Sequence, residues 1–241
     1  MFKFIPILIF AATVNFSSGA RAAQPVTISG ITEPFMDVTL GLADAGIISE
    51  QFFKEGDAVK KGDAILELDN RLETFEVARR KAVMVQNKMV FDSTRTLLES
   101  TKSVSQQEMQ KAEAEYNVAA ADYSIAAQQL ANRQLIAPFS GRITEILLKP
   151  GAAIAPYQPL VRVVDTSRCY FTGHIEGKAA SNLQLDEAVQ IHVDGGVIIP
   201  GKICFISPTV DAASGLAKVK AIFNNAADKI RPGLSAQLTS E

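Results

Sequence analysis

The sequence predicts an α+β chain, mainly β: a β-sandwich in two halves, an antiparallel two-helix coiled-coil hairpin inserted between them, and a small C-terminal β-barrel. Three observations carry this expectation. A short β-type segment occurs twice, first as Gly46-Ile47-Ile48-Ser49-Glu50 with Phe53-Lys54-Glu55-Gly56, then as Gly141-Arg142-Ile143-Thr144-Glu145 with Leu148-Lys149-Pro150-Gly151. A constant step of 95 positions relates Gly46 to Gly141, Ile48 to Ile143, Glu50 to Glu145, Lys54 to Lys149 and Gly56 to Gly151. One structural unit is therefore written twice. Between the copies, residues 70–134 are rich in Lys, Glu, Ala and Gln and carry a seven-residue apolar period, whereas Gly, Pro, Val and Ile gather on both sides. That shift marks helix flanked by β structure. After the second copy, residues 166–241 alternate strand-like runs with turns.

Residues 1–22 read as a secretory signal, with Lys3 as the basic start, an apolar run from Phe4 to Phe16 and a small-residue cleavage site at Ala20-Arg21-Ala22. The mature chain then begins at Ala23. The apolar run is shorter than the ~20 residues of a membrane-spanning helix; an uncleaved N-terminal anchor is the competing reading. A net charge of −2 gives no basic excess for a polyanionic partner, so nucleic acid is not expected.

Each copy alternates as strands do. In the first, Ile48, Phe52 and Val59 recur, and Leu66 and Leu68 alternate with Glu67 and Asp69, the period of a half-buried strand. Glu55-Gly56-Asp57 and Lys61-Gly62-Asp63 supply turn positions, whose roles Pro150-Gly151 and Ala155-Pro156 take in the second copy. Ile65, Leu68, Ile154, Leu160 and Val163 complete the apolar sets. Neither copy is long enough to close a core alone, so the two sheets are expected to face each other.

The insert reads as two helices. Ser105 to Arg133 forms one, with Ser105 as N-cap and Glu108 placed for a capping box. Its apolar positions Met109, Ala112, Tyr116, Ala119, Tyr123, Ala126 and Leu130 are spaced alternately by 3 and 4, a heptad seam. Arg71 to Ser100 forms the other, with apolar pairs Val83-Met84, Val90-Phe91 and Leu97-Leu98 every seventh residue, and Ser100-Thr101-Lys102-Ser103 reads as the turn. No third helix is available to make a bundle, so the pair is expected to project from the body.

In the last stretch Phe171, Val189, Ile191 and Val193 are candidate inward residues of a small barrel, and Val26 to Ile31 is a candidate strand that joins it. Cys169 and Cys204 are the only cysteines, in apolar strand-like runs; they are candidates for a disulfide in an oxidising compartment, or for two buried thiols. His174 and His192 stand apart from any acidic cluster, and Glu176 and Asp211 read as strand-end and turn residues. No Ser-His-Asp set, phosphate loop or zinc spacing is present, so neither catalysis, nor a cofactor, nor a metal is expected.

Lys54-Glu55-Gly56-Asp57-Ala58-Val59-Lys60-Lys61-Gly62-Asp63, preceded by Gly46 and Ile48, resembles biotinyl/lipoyl-carrier folds. In those carriers the halves meet at a hairpin whose exposed lysine takes the cofactor; here the helical insert stands in its place. The split form, with Leu135-Ile136-Ala137-Pro138-Phe139-Ser140-Gly141 at its return, is similar to periplasmic adaptors (membrane fusion proteins) of efflux pumps and type I secretion systems. Gly201-Lys202-Ile203-Cys204-Phe205-Ile206-Ser207-Pro208, Val210-Asp211 and Arg231-Pro232-Gly233-Leu234 resemble the barrel of the same family.

The resemblance implies a division into a lipoyl-like domain at 36–69 and 135–165, a hairpin at 70–134 and a barrel at 24–35 and 166–241, with a membrane-proximal domain absent or rudimentary. It implies a non-enzymatic role linking an inner-membrane transporter to an outer-membrane channel, as a homo-oligomeric, hexameric ring in the periplasm. It also implies channel contact at the hairpin tip. There the family's motif is Arg, three residues, Leu, six residues, Ser. Leu98 and Ser105 stand in that register, Thr94 occupies the arginine position, and Arg95 is one step off. Two other functions fit parts of the sequence: a periplasmic scaffold or binding protein with no channel partner, and a biotin or lipoate carrier.

Overall fold

The structure, a computed structural model, describes residues 26–240; the export signal read at residues 1–22 lies outside the described residues. The fold is mainly β with a helical hairpin. Strands β1 (Thr27–Leu40), β2 (Gly46–Gln51), β3 (Ala58–Val59) and β4 (Ala64–Leu68) precede helices α1 (Arg71–Ser100) and α2 (Gln106–Ala131). Then come β5 (Gln134–Ile136), β6 (Gly141–Ile146), β7 (Ala153–Ile154) and the long β8 (Val161–Glu176). A short α3 (Gly177–Ala180) leads into β9 (Ala188–Val193), β10 (Val197–Ile206), β11 (Leu216–Asn224) and β12 (Ser235–Ser240).

The two copies of the repeat fold alike and interlock. β2 and β6 share one burial pattern, as do β3 and β7. Each copy also pairs with the other: β2 with β7, and β3 with β6. Gly56 N–H donates to Ile143 O and Gly151 N–H donates to Ile48 O, both at 2.8 Å. Ile143 N–H donates to Asp57 O and Ile48 N–H donates to Ala152 O, both at 3.0 Å. These bonds repeat at the same sequence step, so the halves are related by a local two-fold exchange. Ile48 with Ile143, Val59 with Ile154, Ile65 with Leu160 and Leu68 with Val163 all lie in the sandwich core.

Two details differ from the alternating pattern read in the sequence. Phe52 is exposed, and Phe53 packs on the core instead. Ile65 and Leu66 are both buried although they are neighbours, because the ladder shifts register on both sides of β4. Such a bulge turns two successive side chains to one face.

The barrel runs β1-β12-β9-β10-β11-β8 and is closed by pairing of β8 back onto β1. Phe171, Val189, Ile191 and Val193 face its interior, with Ile28, Ile203, Val219 and Leu238. At the closing seam Gly30 lies opposite Gly173, and the Phe171 ring fills the space that side chains at both positions would need.

β1 and β8 do not stop at the barrel wall. Their far halves, Met36–Leu40 and Val161–Asp165, pair on into the sandwich sheet that includes β6 and β3. Positions 35 and 166 therefore fall inside continuous strands, and no linker separates the two β bodies. The pairing breaks step only between Pro34 and Met36, where Thr166, Ser167 and Arg168 oppose the single Phe35. The Phe35 ring stacks on Tyr170 at 5.5 Å, and the Arg168 guanidinium lies 3.7 Å over it. On the sandwich side, Arg162 grips Asp37 through two hydrogen bonds of 2.7 and 2.5 Å, which hold that carboxyl below the usual carboxylate range.

The disulfide weighed from the sequence does not form: both thiols are free, with Cys169 buried and Cys204 exposed. Cys169 on β8 lies opposite Phe223, and Cys204 lies at a bulge of β10 facing Lys220 and Ala221. Strand β11 stands between them, so at ~4.8 Å per strand they are about 9–10 Å apart across the sheet, beyond the ~7 Å a bridge spans. The alternative of two buried thiols holds for Cys169 alone. Burial pushes the Cys169 thiol up to about 11 and raises that of Cys204 as well, so both stay protonated at neutral pH.

Two tests follow from this packing. A thiol reagent is expected to titrate Cys204 alone, and slowly, in the native protein, and both cysteines after denaturation; a protein that yields no thiol under denaturing, non-reducing conditions contradicts the arrangement. Gly56 and Gly151 have φ of 91° and 90°, and a Cβ at either meets nothing within 4 Å. Gly56→Ala and Gly151→Ala are each expected to cost about 1 kcal/mol in urea unfolding, from backbone strain alone. The local two-fold predicts that the two values agree.

Candidate functional site

The hairpin is the part of the molecule that no β packing explains. α1 spans 30 residues, about 45 Å at 1.5 Å per residue. It packs on α2, and among the described residues no other element packs along either helix. On α2 the predicted seam is observed: Ala112, Ala119 and Ala126 are buried, and Met109, Tyr116, Tyr123 and Leu130 are half-buried. On α1 the inward residues are Glu73, Val77, Arg80, Met84, Asn87, Phe91, Thr94 and Leu98, again spaced by 4 and 3. Only the second member of each apolar pair faces α2; Val83, Val90 and Leu97 are exposed. Phe91 stacks on Tyr116 at 6.0 Å, and Arg80, held by Glu76, reaches across the seam to Asp122.

The base of the hairpin is pinned by Arg133. Its guanidinium donates to Glu73 at 2.5 Å on α1 and to Ala45 O at 2.8 Å before β2. Its backbone carbonyl accepts Leu68 N–H at 2.9 Å. One residue thus ties both helices to the sandwich.

At the far end the sequence-predicted tip residues take different roles. Ser105 is the N-cap of α2: its Oγ accepts Glu108 N–H at 3.1 Å, and the Glu108 carboxylate accepts Ser105 N–H at 2.8 Å, which completes the capping box. These bonds hold the Glu108 carboxyl below its usual range. Leu98 sits half-buried in the seam across the turn from Ser105. Arg95 is exposed one turn further down, 3.7 Å from Asp92 and 5.4 Å from the Phe91 ring centre. Leu98 thus belongs to the seam, Ser105 to the cap of α2 and Arg95 to the flank.

The turn expected at Ser100-Thr101-Lys102-Ser103 is the apex of the hairpin. Lys102 sits there with φ of 53°, and the hydroxyls of Thr101 and Ser103 share a 2.7 Å bond beside it. Thr94, Thr96, Ser100 and Thr101 each donate to the carbonyl four residues earlier, a run that competes with the last turns of α1. The Ser/Thr enrichment of 93–103 is the signal that marks this end. Among the described residues, no group of three or more His, Cys, Asp or Glu is placed to hold a metal ion, and no helix is long and apolar enough to cross a membrane.

The comparisons agree on one family. A family model described as the RND MFP (membrane fusion protein) barrel-sandwich hybrid domain matches residues 38–166, and one for the RND MFP beta-barrel domain matches residues 174–239. An uncharacterised protein of Haemophilus influenzae is 26% identical over 201 residues, covering 83% of this chain and 52% of that protein. The chain therefore spans about half the length of that relative. A MacA–MexA chimera that contains the Pseudomonas aeruginosa MexA α-hairpin has the same fold, with TM-score 0.77 at 19% identity, over 90% of this chain and 79% of the chimera. A membrane fusion protein from Streptococcus pneumoniae gives 0.70 at 17% identity, over 90% and 98%. A crystal structure of a putative efflux transporter from Bacteroides eggerthii gives 0.69 at 23% identity, over 90% and 69%.

The carboxylates of the hairpin set its acid response. Hydrogen bonds from Arg79 and then Arg80 lower Glu76 from the usual 4.5 to about 2. A depressed carboxyl stabilises the fold above its unfolded value and loses that contribution as the pH falls through its folded value. Helical circular dichroism is expected to weaken between about pH 4.5 and 2, and Glu76→Gln to flatten that loss. An unchanged acid profile in the variant contradicts the assignment.

Proposed function

This chain belongs to the RND membrane fusion protein family, whose barrel-sandwich hybrid model covers more than half of it, and we propose that it is a non-enzymatic periplasmic adaptor linking an inner-membrane transporter to an outer-membrane channel. In this reading residues 1–22 direct export, and the lipoyl-like segments at 36–69 and 135–165 and the barrel stack as the wall of a ring, hexameric in its relatives' manner. The hairpin at 70–134 reaches the channel, and the barrel end faces the transporter. Substrate is efflux or secretion cargo that passes through the ring rather than a molecule the chain transforms.

The observation that carries the reading is the hairpin: two paired helices project from a β body, and among the described residues no other element packs along them. Core alone does not require such an arm. A ligand-free role also fits the place where carrier folds present their lysine, because that hairpin is here replaced by α1 and α2.

One observation favours a second reading, a periplasmic scaffold with the adaptor fold and no channel. Ser105 spends its hydroxyl in the capping box, Leu98 faces the seam, and Thr94 bonds to Val90 O at 2.8 Å. The residues exposed at the tip are instead Leu97, Lys102 and Arg95, the last beside Asp92. A photo-crosslinker placed in turn at Leu97 and Lys102 in living cells decides between them. The adaptor reading expects a crosslink to an outer-membrane channel from the tip and none from Tyr157 on the body; absence of channel from every tip position overturns it in favour of the scaffold.

A further inference from the structure

The two flanks of the hairpin are chemically opposite. Lys81, Lys88 and Arg95 recur every seven residues on α1 along one flank, beside Ala120 and Ala127 of α2. Glu108, Glu115 and Asp122 recur every seven residues on α2 along the other flank, beside the exposed Val83, Val90 and Leu97 of α1. The basic flank also carries the acidic Asp92 and Glu113, and Lys111 stands at the outer margin of the acidic one. A groove of about 400 Å³ runs along the acidic flank between the helices, lined by Val83, Asn87, Glu115, Val118, Ala119 and Asp122.

The charges are partly engaged within the chain. Lys88 and Arg95 both pair with Asp92, at 3.0 and 3.7 Å, Glu115 pairs with Lys111 at 3.9 Å, and Asp122 with Arg80 of the seam. All four intrachain pairs are half-exposed, so they hold their members weakly and leave them open to a second counter-ion. Lys81 has no ion pair among the described residues.

The spacing of the two stripes matches as well as their sign. Phe91 lies level with Tyr116, and Glu73 with Arg133. On that alignment Asp122, Glu115 and Glu108 stand near the heights of Val85, Asp92 and Glu99. Each anion is thus displaced by about four residues, or about 6 Å, toward the tip from Lys81, Lys88 and Arg95 respectively. One constant offset, within reach of a lysine or arginine side chain, serves all three pairs. Cyclic symmetry places identical hairpins side by side at one height, each presenting one flank to the next copy's other flank.

We propose that the two flanks of this hairpin form a heterologous interface, the basic flank of one copy meeting the acidic flank of the next. Lys81, Lys88 and Arg95 of one copy meet Asp122, Glu115 and Glu108 of the next, while Val83, Val90 and Leu97 seat against the small Ala120 and Ala127 of the neighbour. This deepens the ring reading above and names its partner surface as a second copy of this chain. Because each copy offers one flank of each kind, the contact propagates in one rotational sense and closes on itself without a self-complementary dimer.

Two variants of the full chain test it by sedimentation at low salt and high protein concentration. Lys81→Glu/Lys88→Glu/Arg95→Glu makes both flanks acidic, and Glu115→Lys/Asp122→Lys makes both basic; Glu108 is kept because it caps α2. Lys88→Glu and Glu115→Lys serve as milder forms, and helical circular dichroism checks that the hairpin persists. The unaltered chain is expected to form a closed oligomer that salt weakens. Each reversed variant is expected to associate ~10-fold or more weakly, and an equimolar mixture of the two to recover assembly through alternating copies. Assembly of either reversed variant alone overturns the flank pairing while the ring reading stands. Failure of the mixture to recover overturns it in the same way. A monomeric unaltered chain, in solution and when crosslinked in cells, overturns both.

Discussion

The molecule depends on the antiparallel pairing of β1 with β8. These two strands belong to both β bodies at once: their Thr27–Pro34 and Cys169–Glu176 stretches close the barrel, and their Met36–Leu40 and Val161–Asp165 stretches enter the sandwich. A break in this ladder opens the barrel and strips the sandwich of a strand pair together. The one irregularity, at Phe35, is covered by its stack with Tyr170 and Arg168. Beyond Tyr170 the same outer face continues to Lys220, 5.4 Å from the ring, and to Glu33, 3.2 Å from Lys220. The bulge is thus a bend with a laminated exterior, which sets the angle between the bodies by side-chain stacking where backbone pairing lapses.

The sandwich adds a second constraint, reciprocity. Because each copy of the repeat completes the other's ladder, neither half has a core until the other arrives. The halves are separated by the whole helical insert, so their meeting depends on the insert folding back on itself. The alanine seam of α2 and the Arg133 anchor do this work: they turn a long loop into a rigid one whose ends are already adjacent. A local helical hairpin thereby stands in for a distant strand contact, which lowers the entropic cost of closing the loop.

Much of this architecture was legible because it obeys simple periods. The repeat gave its core pairs directly, since Ile48 and Ile143 or Val59 and Ile154 must face one way in related strands. The Ser105–Glu108 capping box and the turn before it were visible from residue type alone. What escaped followed from tertiary geometry. The α1 seam was only half visible because Arg80, Asn87 and Thr94 occupy inward positions that an apolar pattern leaves out. The burial of Ile65 beside Leu66 and the exchange of Phe52 for Phe53 arise from register shifts that no alternation encodes. The sequence marks an entering strand only at Val26 to Ile31, and the continuity of β1 across both bodies comes from its long pairing with β8. The cysteines looked pairable because sequence does not reveal that β11 stands between them. At the tip, the family pattern pointed to Leu98 and Ser105, whose side chains the fold commits internally.

The pairing of β4 with β5, with Glu67 opposite Gln134, fixes where the hairpin leaves and rejoins the body. Nothing beyond that gate senses how far the helices run. Whole heptads can therefore be inserted or deleted in matched pairs, changing the span by about 10 Å per repeat while each seam keeps its phase. A lineage that carries this fold can lengthen or shorten its projecting arm by copying or dropping a few codons, with the β architecture untouched.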